Sequence, residues 1–128
     1  MSTQKNNFIQ SISDCSISID VKNVTFESIL EQWEMREGVI EELFKKRDSE
    51  KALDLMLIGI KLYFLALFLA NQRQFSKNSI IHWQEQITDF SVKPLNLEER
   101  LTYIVNNPDH YHSYFQLKQL FDMKIIST

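Results

Sequence analysis

The chain has 128 residues and a formal net charge of −3, so it carries no overall positive field that would attract nucleic acid or an anionic membrane. Hydrophobic residues make up 44% of it, enough for the core of one domain, and it contains only two glycines and two prolines. An all-β protein needs many turns built from those two residue types. The composition therefore predicts an all-α protein.

The N-terminal part, residues 1–23, is rich in Ser, Asn and Asp, and its first ten residues contain no apolar signal-peptide core. The lone Cys15 excludes an intramolecular disulfide and is typical of a reducing compartment. We therefore expect a cytoplasmic protein. No cation neighbours Cys15 in the sequence, so the pattern does not indicate a reactive thiol. We predict a non-helical arm over 1–23, extended or disordered, and a single all-α domain over 24–128.

The first strong helical pattern begins after this arm. From Thr25 to Phe44 apolar residues recur with a period near 3.6 residues, and Thr25 is a suitable N-cap. Gly38 lies inside the run, so either one long helix kinks there or two shorter helices meet. The basic residues at 45–47 fit the solvated C-terminal end of this helix.

The most apolar part of the chain runs from about 49 to 71, where the charged side chains of Asp54 and Lys61 lie within the run. It is long enough for a membrane span, but Lys61 would cost about 2.5–3.5 kcal/mol at a bilayer centre. Other segments have apolar faces that need a central partner, so we predict a buried helix and no membrane span. The two charges form either a solvent-facing stripe or a buried pair that needs counter-ions. Small residues recur every seven positions and predict a seam for close helix packing: Ala52, Gly59 and Ala66.

Shorter helices are predicted after a loop at 71–78, which makes a bundle of about five to six helices around the central one. Their expected N-terminal residues are polar caps: Ser79 for the first, Asn96 with Glu99 as a capping box for the second, and Asn107 with Pro108 for the last. We expect the last helix to run to about Ile125.

Two of the three histidines, His110 and His112, lie at the predicted start of the last helix. On a regular helix their directions differ by about 200°, so they cannot bind one ion together. Asp109 and His112 share a face but supply only two ligands, whereas zinc requires three or four. We predict no metal site. The helical wheel places Tyr111 and Tyr114 on the apolar side, His110 half-buried beside them, and His112 on the opposite surface.

The C-terminal segment 93–121 reads KPLNLEERLTYIVNNPDHYHSYFQLKQLF, with Lys-Pro, Asn and Glu-Arg-Leu followed by Pro, Tyr-His-Ser, Gln-Leu and Leu-Phe. This pattern resembles the YpoC-like family of small proteins, known mainly from Gram-positive bacteria. The stretches LFKKRD and LALFLAN in the first half add a weaker similarity. The resemblance implies a helical cytoplasmic protein with no assigned activity, cofactor or catalytic residue. It emphasises Lys93, Pro94, Arg100 and the Tyr-His-Ser of 111–113.

The function predicted from these patterns is a non-catalytic protein-interaction module. The chain contains no glycine-rich phosphate loop, no metal-ligand motif and no catalytic constellation, so we predict neither a cofactor nor catalytic residues. The candidate contact residues for a protein partner are polar and aromatic: Lys93, Arg100, Tyr111, His112, Ser113 and Tyr114. An enzyme with a polar site between helices is one alternative, built from Asp54, Lys61, Arg100 and His112. A nucleic-acid-associated accessory protein is the other, and it needs a patch from Lys45, Lys46, Arg47, Arg73 and Lys77.

Overall fold

The computed structural model describes residues 8–123, and every regular element in them is a helix. The α-helices are α1 (Phe8–Asp14), α2 (Phe26–Lys45), α3 (Ser49–Ala70), α4 (Asn78–Ile81), α5 (Trp83–Ile87), α6 (Leu97–Asn106) and α7 (Tyr111–Asp122). A one-turn 3₁₀ helix, Val21–Asn23, precedes α2. The predicted all-α fold is confirmed for this part of the chain, with seven α-helices where five to six were expected.

Helix α3 is the centre of the bundle, as the apolar run predicted. It packs against α1, α2 and α7, and half of its 22 residues are buried inside the fold. Among the described residues it is also the one helix whose length and composition would allow a membrane span. Core helices of folded proteins share that property, and the extensive burial of α3 supports a core role here.

The seam of small side chains on α3 brings three helices into close contact. Its members are all buried: Ala52, Gly59 and Ala66. A Cβ atom added to Gly59 would lie 2.7 Å from Cζ3 of Trp33 on α2 and 3.3 Å from Cδ2 of Leu117 on α7. The Trp33 ring in turn stacks on Phe121 of α7, with 4.6 Å between ring centroids. Gly59 therefore occupies the point where α2, α3 and α7 meet.

The ends of α2 and α3 are set by local hydrogen bonds. Thr25 caps α2 as predicted, in a reciprocal capping box with Ser28. The helix continues unbroken through Gly38, which resolves the choice between one helix and two. Each long helix is followed by a residue in the left-handed region, Arg47 with φ 61° and Gln72 with φ 57°. That conformation turns the chain sharply away from the helix axis.

The prediction of a non-helical arm over 1–23 is wrong for the segment of α1. Ile12 of α1 is fully buried, and the helix packs against α3, α4 and α6. The ammonium of Lys61 on α3 donates hydrogen bonds to the carbonyl oxygens of Ser13 and Cys15, both at 2.7 Å, where α1 ends. A cation at this position suits the negative end of a helix dipole. Residues 1–7 lie outside the described part.

Of the predicted helix starts in the second half, that of α4 is wrong, whereas that of α6 is right in position but lacks the predicted hydrogen bonds. Ser79 is the second residue of α4 and not its cap, and its Oγ accepts a hydrogen bond from the backbone N–H of Ser76 at 2.7 Å. Asn96 precedes α6 in the left-handed conformation, with φ 59°, and its side chain makes no capping hydrogen bond. The expected capping box with Glu99 therefore does not form.

Helix α7 begins at Tyr111, later than predicted, because Asn107 is used to end α6. The backbone N–H of Asn107 donates to the carbonyl oxygens of Tyr103 and Ile104, and its side-chain amide donates to Tyr103 at 3.0 Å. His110 takes the N-cap position in an extended conformation. The expected end near Ile125 lies outside the described residues.

Candidate functional site

The outward side of α7 carries a row of exposed side chains that we call the α7 outer face: Tyr111, His112, Phe115, Gln119 and Met123. The opposite side of the helix is buried in the core: Ser113, Tyr114, Leu117, Leu120 and Phe121. Tyr111 is 52% exposed, Phe115 44% and Met123 47%. Single exposed apolar residues are common, but a row of them on one helix is typical of a contact surface.

Helix α6 borders this face with a cation and an aromatic ring. The guanidinium of Arg100 donates to Sδ of Met123 at 3.3 Å and to Oε1 of Gln119 at 3.4 Å. One turn further along α6, the ring of Tyr103 packs edge-on against His112, with 5.3 Å between centroids. Within residues 8–123, Arg100 forms no ion pair with a carboxylate.

The N-terminal end of the face is held by aromatic packing against α2. The Tyr111 ring lies edge-on to Phe44 at 5.9 Å and tilted against Tyr114 at 5.7 Å. These contacts fix the orientation of Tyr111 while half of it stays in solvent. A partially exposed ring held in this way loses little side-chain entropy when a partner covers it.

Of the six residues predicted as contact residues, three lie on or beside the α7 outer face and three do not. Arg100, Tyr111 and His112 belong to the first group. Ser113 is fully buried, and its Oγ donates to the carbonyl oxygen of Asn107 at 2.6 Å. Its role is to close the turn between α6 and α7.

Lys93 also serves the fold. Its ammonium donates to the carbonyl oxygens of Ile87 and Thr88, at 3.0 and 3.2 Å, and so binds the C-terminal end of α5. It also donates to Oε2 of Glu98 at 2.8 Å. That hydrogen bond holds the pKa of the Glu98 carboxyl below its usual range. Lys93 thus joins α5 to α6.

Tyr114, the third of these residues, is a buried link between α7 and α2. Its side chain is 1% exposed. The hydroxyl donates to Oε2 of Glu37 at 2.7 Å, and Oε1 of Glu41 lies 3.3 Å away. Burial raises the pKa of this phenol, and the two carboxylates raise it further. Tyr114 therefore stays neutral far into the alkaline range.

The helical-wheel prediction is right for His112 and wrong for His110. His112 is exposed, as predicted, but His110 is exposed too, with its Nδ1 3.5 Å from the hydroxyl of Tyr103. A helical wheel does not apply to His110, because that residue precedes the helix. The described residues contain no group of three or more His, Cys, Asp or Glu side chains that could hold a metal ion.

The structure does not assemble the four residues of the alternative enzyme site. Asp54 is exposed on α3, whereas Lys61 is bound to the end of α1. Arg100 contacts α7, and His112 contacts Tyr103. In the part of the chain that the structure covers, no hydrogen bond or ion pair joins any two of the four. Asp54 is exposed, as the solvent-facing stripe requires, whereas Lys61 is half-buried and bound by two carbonyl oxygens, so neither the stripe nor the buried pair describes both residues.

The basic residues of the nucleic-acid alternative are partly neutralised. Lys45 lies 3.9 Å from Glu41 and 4.0 Å from Glu42, and Arg73 lies 3.2 Å from Asp89. Their positive potential is weakened by these neighbours. We find no geometric feature that singles out this set as one surface.

Comparison with known proteins identifies the family. A family model described as YpoC-like protein matches residues 23–124, about four fifths of the chain. The chain belongs to the YpoC-like family. No curated protein and no solved structure matches it. The family match begins after α1, so that helix and its contacts with Lys61 lie outside the matched region. The family description names no activity, and the function must be argued from the surface of this YpoC-like protein.

Four residues of the surface were missed in the sequence: Tyr103, Phe115, Gln119 and Met123. The signal for Phe115 was present, because Leu117, Leu120 and Phe121 define a core side to which residue 115 is opposite. Tyr103 and Met123 had no such signal. Their positions depend on how α6 packs against α7.

We expect Lys61→Met to release α1 while the rest of the bundle stays folded. Hydrogen bonds from a charged donor contribute about 1.5–3 kcal/mol each, so loss of both should raise the hydrogen-exchange rates of α1 amides by at least about tenfold. Amides of α3 and α7 should keep their rates. Lys51→Met is the matched control, because the Lys51 side chain is 76% exposed. Equal protection of α1 in both variants would contradict the anchoring role of Lys61.

Proposed function

We propose that this protein is a non-catalytic, cytoplasmic protein-interaction module whose partner docks on the α7 outer face. The observation that carries the proposal is the alignment of Tyr111, Phe115 and Met123 in solvent on one helix. Burial of these side chains by a partner would remove a large apolar area from water, which is the main driving force of association.

The positive charge of Arg100 indicates which kind of partner would bind the α7 outer face. Arg100 borders the apolar row, and its guanidinium contacts a thioether and an amide within the described residues. A carboxylate from a partner would form a charge-assisted hydrogen bond there. The expected partner is therefore a protein segment that presents an apolar side chain next to Asp or Glu.

The test places a photo-crosslinking amino acid at position 115 in one protein and at position 35 in another, in the native host. Met35 on α2 is 66% exposed and apolar, so it is a matched control for non-specific contact. We expect one protein to crosslink at position 115 and not at position 35. Equal capture at both positions would contradict the proposed surface.

The affinity of variants for the captured partner then gives the contribution of individual residues to binding. Phe115→Ala and Arg100→Glu should each weaken affinity by about tenfold or more, as expected for central contact residues. Met35→Ala should leave the affinity unchanged. If the captured protein is a second copy of this chain, sedimentation will show a dimer that Phe115→Ala dissociates, and the heterologous partner proposed here is then wrong.

A further inference from the structure

Two cavities lie between the segment that follows α1 and the loop that follows α3. Their volumes are about 390 Å³ and about 380 Å³. Val21 and Phe75 line both, so the cavities adjoin, and we call the two together the arm groove. Each cavity has a size typical of small-molecule sites.

Among the described residues, the charged groups that line the arm groove all have the same sign. Lys61 and Lys77 line the first cavity, Lys22 and Arg73 line the second, and no Asp or Glu within residues 8–123 lines either. Two acids are neighbours of lining residues in the sequence: Asp14 accepts a hydrogen bond from Gln10 at 3.0 Å, and Asp20 accepts from the backbone N–H of Lys22 at 3.1 Å and from the side-chain amide of Asn23 at 2.9 Å. Asp89 pairs with Arg73 from outside the lining. In a chain with a net charge of −3, this groove is a local cationic site suited to an anion.

Lys61 is the group best placed to bind an anion in the first cavity. An ammonium has three hydrogen-bond donors, and two of them are used by the carbonyl oxygens of Ser13 and Cys15 at 2.7 Å. The third donor remains, and the two existing bonds hold the side chain in place. Lys77, on the exposed loop, supplies a second charge to the same cavity.

The remaining walls are largely apolar and run through both cavities. Ile17, Ile19 and Ile80 line the first, and Val24, Leu65 and Leu69 line the second. Val21 and Phe75 stand between them. An anionic head at Lys61 and Lys77 would therefore have apolar walls beside it in the first cavity and further apolar walls in the adjoining second cavity.

We propose that the arm groove binds an anion with an unbranched apolar chain, its head at Lys61 and Lys77 and its chain passing Val21 towards the second cavity. This site is on the arm side of α3, and the proposal does not depend on the protein-interaction surface of α7. A carboxylate and a phosphate monoester share the required chemistry.

The test uses decanoate and decyl phosphate below their micelle concentrations, with two readouts. Calorimetry gives the dissociation constant, and protection of the chain's single cysteine, Cys15, from alkylation reports occupancy of the groove, because Cys15 lines the first cavity. We expect at least one probe to bind and to protect Cys15 with the same dissociation constant. The probe with the lower dissociation constant identifies the preferred head group. 1-Decanol should bind at least about tenfold more weakly, because it lacks the charge.

Ligands of different chain length and substitutions in the protein locate the head and the tail of the bound ligand. Lengthening from hexanoate to octanoate should tighten binding by about fourfold for each CH₂ group that is buried. Lys77→Glu should weaken decanoate binding by about tenfold, whereas Lys51→Glu, which changes an exposed lysine away from the groove, should not. Val24→Trp should remove the advantage of decanoate over octanoate by filling the second cavity. The proposal is overturned if neither probe protects Cys15, if 1-decanol binds as well as decanoate, or if Lys77→Glu and Lys51→Glu bind alike.

Discussion

Gly59→Ala should destabilise the protein by up to about 2 kcal/mol. The added Cβ would lie 2.7 Å from the ring of Trp33, and that ring is 3% exposed and stacked on Phe121, so it has little room to shift. Overpacking of a core typically costs 1–3 kcal/mol, and the better helix propensity of alanine offsets about 1 kcal/mol of it. Urea unfolding followed by circular dichroism gives the free energy of unfolding for comparison with the wild type.

The matched control is the other glycine of the chain. Gly38 is also inside a long helix, but a Cβ there would meet no atom within 4 Å. Gly38→Ala should therefore stabilise the protein by about 0.5–1 kcal/mol through helix propensity alone. Opposite signs for the two substitutions would identify the contact with Trp33 as the cause. Stabilisation by both would show that α2 and α3 can move apart at Gly59 without cost.

Alkaline pH should destabilise the protein from about pH 10 upwards. Burial raises the pKa of Tyr63 above its ordinary value of 10.0, against the opposing effect of Arg100, and burial with Glu37 raises the pKa of Tyr114. Below pH 10 both phenols are neutral in the folded and unfolded states. Above it the unfolded phenols ionise while the folded ones stay protonated, so the free energy of unfolding falls by about 1.4 kcal/mol per pH unit for each tyrosine. Urea unfolding at pH 9, 10 and 11 would measure the decline.

Lysines also titrate in this range, so the variant Tyr63→Phe/Tyr114→Phe isolates the contribution of the two phenols. Its stability between pH 10 and 11 should fall by up to about 2.7 kcal/mol less than that of the wild type. Identical declines in both proteins would mean that the two hydroxyls ionise as readily in the folded state as in the unfolded state.

The features that local sequence determines were predicted well. Helix α3 follows from an apolar run too long and too uniform for anything but a core helix or a membrane span, and its observed bounds, Ser49–Ala70, agree with the predicted 49–71. Thr25 was identified as a cap because threonine is a favoured N-cap residue and directly precedes the apolar run that begins at Phe26. Such signals depend on neighbours in the chain, so one sequence is sufficient to find them.

Helix α1 was not predicted because its stability comes from distant residues. A seven-residue helix is too short to be stable alone. It is held by the burial of Ile12 and by Lys61, which lies 48 positions along the chain from Ser13. The spacing of Phe8, Ile9 and Ile12 fits one face of a helix, but no pattern within residues 1–23 records the contact with Lys61, and the same applies to the arm groove.

The α7 surface was found in part, and the error has a geometric origin. The helical wheel took Tyr111 as apolar and inward and left out Leu120 and Ser113, both fully buried. At about 100° per residue, that choice rotated the core side by about 60°. Tyr111 was therefore placed inside and Phe115 overlooked. A buried serine bonded to a turn carbonyl carries no sequence signal that distinguishes it from a surface serine.

The positions of the glycines and of the left-handed residues indicate how far substitutions could still raise the free energy of unfolding. Its two glycines both lie inside helices, where alanine is the more favourable residue at open positions. Within residues 8–123, the three positions in the left-handed region are instead occupied by Arg47, Gln72 and Asn96, although glycine adopts that conformation without steric cost. Of these placements only Gly59 is required by packing. The helix ends are thus under-optimised, and the fold has room to absorb destabilising changes elsewhere through substitutions that touch neither the core nor either proposed binding surface.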